Sequence, residues 1–302
     1  TDKLRELVDN PGSDARVAEG EYWDGLARVT LADLYERVTF DGGEPHSPTE
    51  VYQMAIGILE TAASIGRSAG DMEIVAAAEG TLARVYRSLY YEGDGSDPAL
   101  FDEAAAHAQA ALDADADFRF DAQFAPPGSE NGMVDATHNT FDYDVMDPRM
   151  ANIEDPVSGQ PDPRVQHSEF KGIGTQNDSL YAQNKYTSRD DGIPVSRWEE
   201  AALILAEHQL LEDNLQNAVD RINDVRGDAG LPDFSSSDAQ EIEDQLIYER
   251  RVEFWLEMRR WQDMRYYGIM PTRWTPGAQQ AGLDRRFPIA LRECQSNPNV
   301  DC

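Results

Sequence analysis

Apolar residues recur at the spacing of one helix face at both ends of the chain, and the period disappears between them. A chain patterned this way folds as packed helices that carry one long irregular insertion. From Ala15 to Val38, Trp23, Leu26, Val29 or Thr30, Leu34 and Val38 fall three or four residues apart. A turn at TFDGGEPHSP follows, broken by Gly42, Gly43 and Pro45. Ser47, Pro48 and Glu50 then make an N-cap, a first-turn proline and a capping box. The helix they open carries Val51, Met54, Ile58 and Leu59 and is expected to run to about Ile65.

The pair then repeats. Met72 to Tyr91 holds small Ala77 and Ala78, followed by Leu82, Val85, Tyr86 and Leu89. After EGDGSDP, Phe101, Ala104, Ala105, Ala108 and Ala111 make a stripe of small residues beneath one aromatic. Small side chains let paired helices approach closely, so residues 15–118 read as tetratricopeptide-like helix pairs. A plain helical bundle is the alternative.

From Arg119 to Pro194 glycine, proline, aspartate and asparagine dominate, and no helix period survives. Phe141, Tyr143, Tyr181 and Tyr186 stand among the polar residues Asn139, Asn177, Gln183 and Asn184. Aromatics in a polar segment either face a ligand or pin the loop to the helices. Periodicity returns at Val195: Trp198, Ala202 and Leu205, then Leu215, Ala218, Ile222 and Val225. Gly230 and Pro232 stop that run, and a third runs from a serine-rich cap to Gly268, with Ile247, Phe254, Met258 and Trp261 on one face. Its arginines (Arg250, Arg251, Arg259, Arg260, Arg265) alternate with Glu249, Glu253, Glu257 and Asp263 at helical pair spacings. Ion pairs within the helix are therefore expected, and Trp255 and Trp261 as core anchors.

Charge excludes some partners. The formal net charge is −31, which repels phosphate backbones and anionic lipid headgroups, so nucleic acid is not a partner. No stretch of the sequence reads as a membrane span. The two cysteines, Cys294 and Cys302, stand eight positions apart and form no zinc motif; a disulfide or two free thiols both fit. Catalytic patterns are missing: the five histidines are scattered without HExxH, and no G-x-S-x-G elbow occurs. Asp113, Asp115 and Asp117 imitate the start of a calcium loop but meet Phe118 at the glycine position. No catalytic residue, metal site or cofactor is expected.

The order of four blocks carries a resemblance. VSRWEEAALILAEHQL, INDVRGDAGLP, LIYERRVEFWLEMRRWQDMRYYG and RRFPIALRECQSNPNV together resemble the C-terminal half of the SusD/RagB family. The helix pairs before the irregular region, and KYTSRDDGIPVSRW at its end, fit the same resemblance. It implies one mostly α domain over residues 1–302: helix pairs at 15–118, a ligand-loop region at 119–194, C-terminal helices at 195–268 and a tail at 269–302. Two positions depart from the pattern. Met258 stands where the family commonly has glycine, and Ala290 where a second proline is usual. The family's N-terminal part and lipidated cysteine are not found here, so a chain lacking its N-terminal part is expected.

The resemblance further implies a lipoprotein on the extracellular face of the outer membrane, held only through a lipid anchor outside this chain. Such a protein binds an oligosaccharide or peptide and delivers it to a TonB-dependent transporter of the SusC type. Phe141, Tyr143, Asn177, Tyr181, Asn184 and Tyr186 are then the candidate ligand residues: tyrosines stack on sugar rings, and amides take the hydroxyls. A soluble tetratricopeptide scaffold that docks other proteins is the competing reading, and a glycan-active helical enzyme a third.

Overall fold

The computed structural model describes residues 2–134, 148–171, 179–269 and 286–301. In chain order the elements are α1 (Asp2–Arg5), α2 (Ala15–Leu34), α3 (Pro48–Ala69), α4 (Met72–Glu92), α5 (Pro98–Ala114), β1 (Arg119–Ala122), α6 (Gly132–Val134) and α7 (Pro148–Ala151). There follow β2 (His167–Lys171), β3 (Ser179–Gln183), β4 (Ile193–Arg197), α8 (Trp198–Leu211), α9 (Leu215–Asp228), α10 (Ala239–Glu253), α11 (Arg260–Tyr266) and α12 (Leu291–Ser296). The fold is mostly α with a tetratricopeptide-like arrangement of helix pairs. β1 pairs with β4, and β2 pairs antiparallel with β3.

The chain divides into two compact units: Thr1–Phe120 with Ser196–His208 and Trp261–Cys302, and Asp121–Val195 with Gln209–Arg260. In the first unit α2 packs on α3, α3 on α4 and α4 on α5. The capping box forms as expected: Ser47 N–H donates to Glu50 Oε2 at 2.7 Å, and Glu50 N–H donates to Ser47 Oγ at 3.4 Å. Asp14, Asp71 and Asp97 cap the other three helices. The alanine stripe does the work predicted for it. Ala104, Ala105, Ala108 and Ala111 are buried with Ala76, Ala83, Phe101 and Phe118, and Ala201, Ile204 and Leu205 of α8 complete that cluster. Gly25 is a close approach of the same kind, since a Cβ there would stand 2.7 Å from the Leu59 side chain.

Three boundaries differ from the sequence reading. α2 stops at Leu34 because Tyr35 turns extended and residues 34–36 bond the C-terminal tail, Phe287 N–H to Leu34 O and Glu36 N–H to Phe287 O. α3 continues to Ala69, where Gly70 at φ +76° ends it. The last periodic run, from the serine-rich cap to Gly268, is two helices, not one. α10 ends at Glu253, and residues 254–259 form a loop in which Leu256 and Met258 both hold positive φ, 63° and 62°. Met258 is therefore 59% exposed and does not share an inward face with Phe254. Met258 is strained there, because an L side chain disfavours the left-handed region. Replacing it with glycine should relieve about 1 kcal/mol. Met258→Gly is expected to raise the urea midpoint without changing the slope, and Met258→Ala to leave the midpoint where it is.

The carboxylates of that run also make ion pairs with residues far away in sequence. Glu249, Glu253, Glu257 and Asp263 reach cations distant in sequence, at Arg164, Arg226, Lys185 and Arg87. They close tertiary structure, where spacing alone suggested pairs along the helix. In the first unit Arg87 is the centre of such a closure. Its guanidinium is 2% exposed, donates to Glu207 Oε2 at 2.6 Å and to the Tyr267 hydroxyl at 2.9 Å, and lies 3.2 Å from Asp263. The rings of Tyr91, Tyr266 and Tyr267 surround it at 5.2–5.6 Å. Burial pushes the Tyr266 hydroxyl up to about 12.

The tail of the chain is fixed within the same unit. Arg286 donates to Glu92, Glu293 accepts from the Thr39 hydroxyl, and the Asn297 and Asn299 amides donate to the carbonyls of Gly43 and Gly42. Cys294 is disulfide-bonded, which decides between the two readings of the cysteines. Among the described residues no helix is long and apolar enough to cross a membrane.

Candidate functional site

The irregular segment lies in the second unit, and its described parts are built onto α9 and α10. Those two helices bury Ala218, Val219, Ile222 and Val225 and, facing them, Ile242 and Leu246. Charged side chains then fasten the segment to them. Arg226 of α9 is fully buried. It donates to Asp155 Oδ1 at 2.8 Å, to Glu249 Oε1 at 2.7 Å and to Pro232 O at 2.7 Å. Arg164 donates to both oxygens of Asp162, to Glu249 Oε2 at 2.5 Å and to Glu253 Oε2 at 3.1 Å. The Tyr248 hydroxyl donates to Asp162 Oδ2 at 2.8 Å and lies 3.1 Å from Glu154 O. One carboxylate, Glu249, thus takes two arginines and the Gln245 amide, with no exposed surface of its own.

This lattice sets the protonation of its members. Burial pushes Asp155 up, but hydrogen bonds from Arg226 and Ser158 outweigh it and hold the carboxyl at about 2. Asp162 is lowered in the same way, burial being overcome by Arg164 and Tyr248. Because Asp155 lies below its ordinary value of 3.8, its contribution is complete above about pH 4 and is lost as pH falls toward 2. That contribution is about 2 kcal/mol. Unfolding midpoints measured between pH 5 and 2 should fall less steeply in Asp155→Asn than in the parent protein.

On this base stands the β2–β3 hairpin. The register pairs His167 with Gln183, Ser168 with Ala182 and Glu169 with Tyr181. Cross-strand partners share a face, so His167, Glu169, Tyr181 and Gln183 lie on one side and Ser168 and Ala182 on the other. Tyr181 is half-buried. Its ring packs against the cluster of Met150, Ala151, Ile153, Val165, Val252 and Trp255 and meets the His167 ring edge-on at 5.4 Å. Glu169 is exposed directly across from it.

The chain leaving β3 is locked. Gln183 is buried, and its amide accepts from Tyr186 N–H and donates to Tyr186 O, both at 2.8 Å. Lys185 donates to Trp255 O at 2.8 Å and Glu257 Oε1 at 2.6 Å, satisfying carbonyls just beyond the end of α10.

The sequence-predicted residues distribute as follows. Phe141, Tyr143 and Asn177 lie outside the described residues. Tyr181 and Asn184 are both on the hairpin, but the Asn184 amide donates to Ser168 Oγ at 2.8 Å, on the face opposite Tyr181. Tyr186 is 2% exposed, so its ring is part of the packing and offers no surface to a ligand. Of the three tyrosines proposed as a platform, the described structure leaves Tyr181 as the one with an accessible ring. His167 and Glu169 join it, two residues that the sequence does not single out. Their signal was the period-two alternation of HSEFK and SLYAQ, too short to stand out from the polar segment around it.

The sequence matches the SusD family over residues 47–299. The chain belongs to that family. No curated protein matches it. Solved structures of similar fold include a SusD superfamily protein from Bacteroides vulgatus ATCC 8482, with TM-score 0.66 and 18% identity, covering 99% of this chain and 80% of that one. A SusD superfamily protein from Parabacteroides distasonis ATCC 8503 gives TM-score 0.70 and 18% identity over 94% of this chain and 77% of that one. A SusD-like carbohydrate binding protein from Bacteroides fragilis NCTC 9343 gives 0.69 and 16%, over 95% and 80%.

Proposed function

We propose that this protein binds glycans at the cell surface without transforming them. It then delivers them, as a lipoprotein of the outer membrane, to a TonB-dependent transporter there. The observation that carries the glycan reading is Tyr181: an accessible ring on a charge-fastened hairpin, flanked by His167 and Glu169. A sugar ring needs an aromatic face for its C–H groups and polar side chains for its hydroxyls, and a rigid base so that binding orders little. Family membership supports the same reading, as does the carbohydrate-binding description of the Bacteroides fragilis relative.

An immobilised glycan array, run with the parent protein and Tyr181→Ala, tests this. The parent should be retained by at least one glycan class and release it unaltered, and Tyr181→Ala should lose about tenfold or more in affinity. Failure of every glycan to retain the parent, or undiminished retention of Tyr181→Ala, overturns the reading.

A further inference from the structure

We infer that Glu169 selects the charge class of the ligand: the site takes neutral glycans, whose neighbouring hydroxyls Glu169 accepts, and rejects uronate-bearing ones. The inference rests on the glycan reading above and refines it. Glu169 is the cross-strand partner of Tyr181, which places its Cβ about 5 Å from that of Tyr181 on the same face. A sugar stacked on the Tyr181 ring therefore presents its edge to the Glu169 carboxylate. Glu169 is exposed and makes no hydrogen bond or ion pair with the described residues, so its two oxygens face solvent.

Two cations on the chain flanking these strands are held by other carboxylates. Arg164 is held by Asp162, Glu249 and Glu253, and Lys185 by Glu257 and two backbone carbonyls. Lys171 lies two residues on, on the same face, with Ser179 as its register partner; the residue directly opposite Tyr181 is Glu169. A carboxylate accepts sugar hydroxyls through short, charge-assisted bonds and repels a uronate at the same distance. The net charge of −31 acts in the same direction at longer range and screens out with salt.

Binding of cello- and malto-oligosaccharides is to be compared with that of oligogalacturonate, for the parent, Glu169→Gln, Glu169→Ala and Tyr181→Ala. Thermal midpoints show that each variant is folded. Neutral sugars should bind at least about tenfold tighter than the uronate at low salt, with the gap narrowing at high salt. Glu169→Gln should raise uronate affinity about three- to tenfold and weaken neutral binding about two- to threefold, and Glu169→Ala should weaken neutral binding about tenfold. If Tyr181→Ala abolishes glycan binding while the Glu169 variants change nothing, or if the uronate binds best, the inference fails and the glycan reading stands. If the parent binds none of the sugars, both fall together.

Discussion

Arg87→Met should lower the stability of the folded chain by about 3–5 kcal/mol, among the largest effects of any single substitution in the first unit. The guanidinium is buried and neutralises Glu207 and Asp263 at once, while three tyrosine rings pack around it. Removing the charge leaves two carboxylates in a site that was desolvated to hold an ion pair. Burial works against the charged form of Arg87, yet Glu207, Tyr267 and Asp263 hold it well above its ordinary value, so the cation persists throughout the accessible pH range. Urea unfolding measures the loss. The double substitution Arg87→Met with Glu207→Leu should recover part of it, because an apolar pair no longer buries an uncompensated charge. Equal stability of Arg87→Met and the parent would mean that this cluster contributes nothing to closure.

Glu249→Ala should cost a similar amount, about 3–5 kcal/mol, and should also loosen the hairpin. Glu249 takes Arg226 through one oxygen and Arg164 through the other. Arg226 holds Asp155 and Arg164 holds Asp162, so one carboxylate fastens both ends of the 155–162 turn to α9 and α10. Its loss leaves two buried guanidinium groups sharing fewer acceptors. Limited proteolysis should then cut faster between residues 154 and 166 than it does in the parent. Asp244→Ala, at an exposed position of α10, should change neither stability nor cleavage.

Much of the helical architecture was legible because local chemistry specifies it. Ser47, Pro48 and Glu50 make a start signal that only a helix satisfies, and alanines at 104, 105, 108 and 111 can bury only against another close helix. The breakdowns occur where tertiary partners overrule local pattern. Glu249 looked like an i,i+4 partner for a neighbouring arginine. Its actual partners, Arg164 and Arg226, stand 85 and 23 positions away. Met258 kept the helical period in sequence but sits in the left-handed region, a backbone state that no apolar spacing announces. Tyr186 stands among polar residues, a setting that suggests an exposed ring. The buried Gln183 amide bonds both its backbone groups, so a polar neighbour proved to be the means of burying it. Tyr181, with the same local surroundings, keeps an accessible ring because β3 pairs in the register that turns it toward His167 and Glu169.

Hydrogen–deuterium exchange of the parent protein with and without a bound neutral glycan is the most direct test of where the ligand sits. Slowed exchange concentrated in residues 167–171 and 179–186, with α2–α5 unchanged, is the predicted footprint. Slowing confined to the helix pairs of α2–α5 would place binding in the tetratricopeptide-like groove and contradict the assignment of the hairpin as the capturing surface.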